Sequence, residues 1–245
     1  MSTSKPFLLL TSRAQPDILA SEYEVFVRYL GVPRERVVHH RLDQDELAHF
    51  DPDAWAGIVL CGSPFNSLKA QHLKSELQVR VEADITRLLD LTVPLDFPFL
   101  GVCYGVGTLL AHQGGLVSDQ YAEEIDAPEI TLTAEGRADP LLEGVPEHFR
   151  AYVGHTEAAE TVPDTAVLLA TSTNCPIQMF RVGRNMYGTQ FHPELDWEAL
   201  HIRILEYNQS GYYPPDEQQR IIDTCQAANV DAVHQILKNF ATIYG

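Results

Sequence analysis

From Phe7 to about Gly115 the chain alternates short apolar runs rich in strand formers with longer segments whose apolar residues recur at helical spacing, and few architectures accommodate that alternation. Phe7 to Thr11, Val37 to Arg41, Gly57 to Cys61 and Phe99 to Val102 read as strands, the last two bounded by glycine or proline. Between them Leu19, Tyr23, Phe26, Val27 and Leu30 form one helical stripe that Gly31 can terminate. Gln71 to Leu91 repeats the pattern with Leu73, Leu77, Val81, Ile85, Leu88 and Leu89. Parallel strands need a crossover long enough to hold a helix, so the pattern predicts an α/β fold, a mostly parallel central sheet with helices on both faces.

After about Gly115 the texture changes to short strands with turn signals, predicting a small antiparallel region: Glu129 to Thr133, Phe149 to Val153, Ala166 to Thr171, and a hairpin of Gln178 to Val182 and Met186 to Phe191 around Gly183-Arg184-Asn185. The acidic stretch Asp119 to Glu129 reads as a solvated face or loop. From Asp196 the chain turns helical, Tyr212-Tyr213-Pro214-Pro215 separates the last helices, and Val233, Ile236, Leu237, Phe240 and Ile243 share a face behind Asp231 as N-cap. No repeat or Gly/Ser linker interrupts the chain. The expectation is one domain over residues 1–195, with a helical C-terminal extension, 196–245, packed on it.

Charge narrows the partners. The 245 residues carry 17 Lys and Arg against 34 Asp and Glu, a formal net charge of -17. Such a surface repels phosphate backbones and anionic lipids, and no stretch supplies a basic patch, so neither nucleic acid nor a membrane is an expected partner. Only four consecutive apolar residues precede Thr11 and Ser12, too few for a signal-peptide core or a membrane span, and a cytoplasmic location is expected. Cys61, Cys103, Cys175 and Cys225 form no CxxC pair and are expected as free thiols.

One of them stands in a chemically loaded place. In Phe99-Leu-Gly-Val-Cys-Tyr-Gly-Val-Gly-Thr-Leu-Leu110 an apolar strand runs into Gly101-x-Cys103-x-Gly105 and then a helix, the form of a nucleophile elbow. The sharp turn needs small residues two before and two after the nucleophile, and a helix N-terminus stabilises an anion, the thiolate being the reactive form. A thiol nucleophile needs a base, and the base an orienting acceptor. Gly188-Thr-Gln-Phe-His192-Pro-Glu194 supplies both, with Pro193 ending the strand so that Glu194 can fold back toward the imidazole.

Together with Gly57-Ile-Val-Leu-Cys-Gly62-Ser63-Pro64, these motifs resemble, in order, those of the class I glutamine amidotransferases of Cys-His-Glu type, most closely the stand-alone relatives of the GMP synthetase amidotransferase domain. The resemblance covers Phe7 to Glu194 and implies a flavodoxin-like architecture. It also implies that Cys103 attacks the side-chain amide of glutamine, that His192 shuttles the proton, and that Glu194 orients the ring. The backbone amides of Tyr104 and of Gly62 or Ser63 would hold the oxyanion. Gly154-His155-Thr156-Glu157 falls where the family carries a loop near the substrate's amino-acid head, and Gly107 stands where its elbow continues with a glutamine that contacts that head.

A residue without a side chain cannot make that contact, and a helical glycine costs about 1 kcal/mol relative to alanine. Three readings therefore stay open: a glutaminase releasing ammonia, with a separate synthetase as its acceptor; a γ-glutamyl peptide hydrolase; or a catalytically weak glutamine-binding regulatory module. No phosphate-binding loop occurs, and His39-His40 with Asp43 and Asp45 lacks a metal-ligand spacing, so neither cofactor nor metal is expected. The oligomeric state is not fixed by these features.

Overall fold

The computed structural model describes residues 5–208, Tyr213 and residues 215–245; Tyr212 and Pro214 of the expected helix separator and the first four residues lie outside them. In chain order the first half contains β1 (Phe7–Thr11), α1 (Pro16–Leu30), β2 (Val37–Arg41), β3 (Gly57–Leu60), α2 (Glu76–Thr92), β4 (Phe99–Val102) and α3 (Tyr104–His112). The second half adds β5 (Leu116–Ser118), β6 (Glu123–Asp126), β7 (Glu129–Leu132), α4 (Ala134–Arg137), β8 (His148–Arg150), β9 (Val153–His155), β10 (Ala158–Thr161), β11 (Ala166–Thr171), β12 (Met179–Val182) and β13 (Met186–Thr189). Three helices of eight or more residues follow: α5 (Trp197–Tyr207), α6 (Gln218–Ala227) and α7 (Gln235–Tyr244).

Nine strands form the main sheet in the order β2-β1-β3-β4-β13-β12-β11-β7-β8. The first five in that order are parallel to their neighbours, and the rest are joined antiparallel. Two small antiparallel pairs, β10 with β5 and β6 with β9, complete the predicted α/β architecture. In β1 the side chains alternate between two cores, as the twofold pleat requires. Phe7 and Leu9 pack with Phe26 and Leu30 of α1 and Ile236, Leu237 and Phe240 of α7. Leu8 and Leu10 pack on the opposite face with Val81 and Ile85 of α2 and Leu109 and Leu110 of α3.

Several local expectations need correction. α1 buries Ile18, Glu22, Val25, Phe26 and Leu30, a face turned from the expected stripe because Glu22 is drawn inward by two arginines. α2 starts only at Glu76, where the Ser75 hydroxyl accepts from the Gln78 amide, and Leu73 is left exposed ahead of it. Asp231 opens a short 3-10 turn rather than capping α7, and Ile243 lies exposed. The acidic stretch is not all solvated: it forms β6, where the Glu123 side chain is buried against His155. Phe149 to Val153 is split between β8 and β9. Among the described residues no helix is long and apolar enough to cross a membrane.

Candidate active site

The carboxyl ends of β1, β3, β4 and β13 converge at one edge of the parallel sheet, the place where open α/β sheets present ligand crevices. A cleft opens there, and the residues just past those strand ends, Arg13, Ser63, Cys103 and His192, line it.

Cys103 links β4 to α3 as the residue preceding the first helical turn, with φ 53° and ψ -94°, a backbone conformation that L side chains rarely adopt. The flanking glycines make the turn possible. A Cβ at Gly101 would lie 2.6 Å from the Gly105 carbonyl oxygen, and one at Gly105 would lie 3.0 Å from that of Leu60. The strain is over-determined by the parallel ladder on one side, where the Cys103 amide donates to the Thr189 carbonyl at 2.8 Å, and by α3 on the other. Of the four free thiols Cys103 alone is partly exposed. Burial pushes the thiols of Cys61, Cys175 and Cys225 up, the last two to about 12, which keeps them in the unreactive form.

His192 is fixed through its backbone, whose N–H donates to the Tyr152 carbonyl at 2.9 Å, and through its ring, whose Nδ1–H donates to Glu194 Oε1 at 2.7 Å. That second bond leaves Nε2 as the nitrogen for the thiol. Burial by itself would lower the imidazole's pKa, but the Glu194 charge and hydrogen bonds to Cys103 and Glu194 outweigh it and raise it to about 9. Glu194 is fully buried, which would raise its carboxyl; the imidazolium and the Arg203 guanidinium hold it well below the usual range instead. Gly62 packs between the partners: a Cβ there would stand 3.1 Å from His192 Cε1 and 3.6 Å from Cys103 Cβ.

Behind the imidazole runs an ionic chain that sequence reasoning missed. Arg203 of α5 donates through Nη1 to Glu194 Oε1 at 3.4 Å and through Nη2 to Glu22 Oε1 at 2.7 Å. The same Glu22 oxygen accepts from Arg13 Nε at 3.3 Å, and Arg13 Nη1 donates to the Tyr207 hydroxyl. The available signal was a charge on an otherwise apolar helical stripe, at Glu22 of α1 and at Arg203 between Leu200 and Ile204 of α5.

On the other side of the cleft lie Gly107 and the run Gly154, His155, Thr156 and Glu157. The amides of Ser67 and Leu68 donate to Glu157 Oε2 at 2.8 and 3.2 Å, and burial raises its carboxyl above the usual range. His155 points away from the thiol: its Nδ1–H donates to the Glu157 carbonyl at 3.1 Å and its Nε2 meets Glu123 Oε2 at 3.0 Å, clamping the segment that carries Glu157. Ser63 braces its own turn, its Oγ accepting from Ser12 Oγ at 2.8 Å and from the Phe65 amide at 3.1 Å. Tyr104 is the first residue of α3, so its amide is one of those a helix leaves without an intrahelical acceptor.

Among the described residues one group could hold a metal: Glu123, His155 and Cys175 bring three donor atoms within 4.8 Å of one another. Each is already engaged within the protein, His155 on both nitrogens, Glu123 also by Gln178 Nε2 at 2.8 Å, and Cys175 Sγ by the Ile177 carbonyl at 3.5 Å. A hydrogen-bonded clamp accounts for the group without an ion.

Comparison with known proteins converges on one family. The family model for glutamine amidotransferase class I matches residues 17–208, past Glu194 and through α5. The glutamine-hydrolyzing GMP synthase of Thermosipho africanus is 25% identical over 203 residues, 82% of this chain and 36% of that protein. That of Marinobacter nauticus is 30% identical over 190 residues, 74% of this chain and 32% of that one. The chain thus spans about a third of the length of these curated relatives. The crystal structure of a glutamine amidotransferase from Thermotoga maritima superposes with a TM-score of 0.77 at 16% identity, covering 97% of this chain and 96% of that one. One from Methylobacillus flagellatus gives 0.70 at 16% identity over 99% and 94%. At these identities the structures share the fold.

Proposed function

The chain belongs to the class I glutamine amidotransferase family, and we propose that it hydrolyses the side-chain amide of glutamine through Cys103, His192 and Glu194. The observation that carries this reading is a strained cysteine at a helix N-terminus, facing an imidazole whose other nitrogen is held at 2.7 Å by a buried carboxylate. Cys103 Sγ, its proton carried by His192, attacks the carboxamide carbon as the thiolate, and the carbonyl oxygen takes the negative charge. The amide of Tyr104 and one from Gly62 or Ser63 receive that oxyanion; losing one such donor typically costs about 2.7 to 4 kcal/mol of transition-state stabilisation. His192, protonated at neutral pH and kept upright by Glu194, gives its proton to the departing nitrogen, which leaves as ammonia. Water, deprotonated by the now neutral imidazole, then opens the glutamyl thioester to glutamate and the free thiol. Glu157, whose carboxylate lines the far side of the cleft, receives the substrate's α-nitrogen.

The ammonia acceptor is a separate synthetase, a reading supported by the likeness to glutamine-hydrolyzing GMP synthases, of whose length the matched stretch covers about a third. The direct test is incubation with a glutamine-mimicking diazoketone followed by intact-mass analysis. One adduct is expected, absent from Cys103→Ala; no adduct, under conditions that label a known glutaminase, sinks the reading.

A further inference from the structure

The chain of charge behind His192 is longer than an imidazole needs. One carboxylate suffices to orient the ring, yet the Glu194 Oε1 that takes the His192 Nδ1–H at 2.7 Å also accepts from Arg203 Nη1 at 3.4 Å. Glu22 Oε1 in turn accepts from Arg203 Nη2 at 2.7 Å and from Arg13 Nε at 3.3 Å. All four of these charged side chains are buried. Buried ion pairs often add nothing to stability over apolar side chains of similar volume, so stability alone does not account for them.

What the arrangement controls is charge. Glu22 and Glu194 supply two negative charges, Arg13 and Arg203 two positive ones, and a guanidinium keeps its proton in a protein. The set is therefore balanced, and it stays balanced when Cys103 and His192 become an ion pair. The other groups near the ring are neutral or stand apart from this set. The Cys61 thiol is kept protonated by burial, the Tyr207 hydroxyl accepts from Arg13, and His234, its pKa lowered by burial, donates from Nδ1 to the Pro193 carbonyl at 2.8 Å. Glu157 lies across the cleft. Arg13 also approaches the ring directly: a Cβ built on Gly62 would stand 3.0 Å from its Nη2 and 3.1 Å from His192 Cε1. An acid that protonates a leaving nitrogen works best when its proton is held neither too tightly nor too loosely for the working pH, and an unopposed buried carboxylate would hold the imidazolium too tightly.

We propose that Arg203 is a positioning residue for the reaction and that, with Glu22, it sets how tightly His192 holds its proton. Arg203 takes up part of the Glu194 charge and loosens that proton; Glu22 takes up part of the Arg203 charge and tightens it. This rests on the reading of Cys103 and His192 as nucleophile and acid only for its bearing on turnover; the control of the proton stands on the ion pairs.

The His192 ring C–H resonance, followed by NMR against pH and assigned by its absence from His192→Gln, reads the proton directly. Glu22→Gln is a charge-only probe: Oε1 carries both existing bonds and Oε2 has no donor among the described residues, so an amide can keep the contacts. It is expected to lower the ring's midpoint by about one pH unit, a ten-fold loss of proton affinity, the scale of a buried unit charge several ångströms away. Arg203→Met is expected to raise the midpoint by a similar amount, and the double variant, balanced again, to return it close to that of the unmodified chain. The alkaline limb of kcat for glutamine should follow the midpoint in each variant, with KM kept within about two-fold. A purely structural role lowers activity in all three and leaves the midpoint in place. A midpoint that Glu22→Gln does not move, or single variants that shift it in the same direction, overturns the proposal; should Arg203→Met not fold, Glu22→Gln and the double variant decide. The catalytic reading fails separately: midpoints that shift as expected in a chain that releases no ammonia from glutamine.

Discussion

Behind His192 the cleft is walled by charge without solvent: Glu194, Arg203, Glu22 and Arg13 are all buried, drawn from the end of β13, from α5, from α1 and from the turn after β1. Around Gly107 the same cleft is walled by Tyr104, Val117, Gly154, Thr156 and the Glu157 carboxylate. The first wall fixes one geometry from four directions, and each buried charge depends on the next. The second is held by hydrogen bonds of Glu157 and His155, while the exposed Thr156 carries little load. On the proposed reading, the imidazole is held on the ion-paired side and the rest of the substrate meets the hydrogen-bonded one.

The largest effect expected from breaking this contrast is on the ion-paired side. Cys103→Ala should lower hydrolysis by at least about ten-thousand-fold, the scale on which removing one member of a nucleophile–base unit acts. Its thermal midpoint should stay close to that of the unmodified chain, since the thiol is partly exposed and only borders the core. A comparable loss of folding would mean that the strained turn itself, and not the sulfur, had been disturbed.

Arg203→Met should come next. It leaves Glu22 and Glu194 buried without their shared cation, and breaking a buried pair from one side costs about 3 to 5 kcal/mol. On the hydrogen-bonded wall Thr156→Ala should stay within about 0.5 kcal/mol. Denaturant titration of the two variants side by side measures the contrast directly; equal losses would erase it.

A pH series sharpens the same point. His192 in the folded chain is raised to about 9 from an ordinary 6.5, so its contribution is fully present below about 6.5 and is lost as pH rises through about 9. Glu194 is lowered to about 2 from 4.5, so its contribution is present above about 4.5 and lost as pH falls through about 2. The pair therefore supports the fold most between about 4.5 and 6.5 and weakens steadily toward 9. Hydrolysis should decline over the same alkaline range, as the imidazolium that protonates the leaving nitrogen disappears. In Glu194→Gln the stability slope between 6.5 and 9 should flatten, as followed by melting temperature against pH; an unchanged slope would assign it to other groups.

The two walls also differ in how far they could be read from the residues alone. Cys103, His192 and Glu194 sit in short local patterns, a glycine-flanked turn and the Phe-His-Pro-Glu run beyond the end of β13, so as candidates they are legible within seven residues of chain each. The parallel strands were legible for a similar reason: β1, β2 and β4 are bounded where apolar runs stop. The Arg203–Glu22–Arg13 chain was not, because its members lie 181 and 9 residues apart and meet only when α5 packs on α1. β5, β6, β9 and β10 escaped because three or four residues carry too little periodicity, and their pairing is decided by the neighbours they find. Glu123, in an acidic run that looks like surface, is buried by His155, a partner 32 residues away.

A further small effect belongs to the Gly107 wall and has the opposite sign. Gly107 lies inside α3, where glycine is less favourable than alanine by about 0.5 to 1 kcal/mol because the unfolded chain has more freedom to lose. A methyl there meets no atom closer than 3.8 Å, so Gly107→Ala should recover most of that amount, in contrast to Gly101, where a methyl would press to within 2.6 Å of a backbone oxygen. The chain thus keeps a glycine that its helix would do better without. If Gly107→Ala melts higher, as denaturant titration can resolve, then the methyl-sized gap between Gly107 and Glu157, Ser67 and Val117 is held against a stability gradient. If it melts lower, that gap is narrower in solution than the distances suggest, and the contrast between the two walls weakens with it.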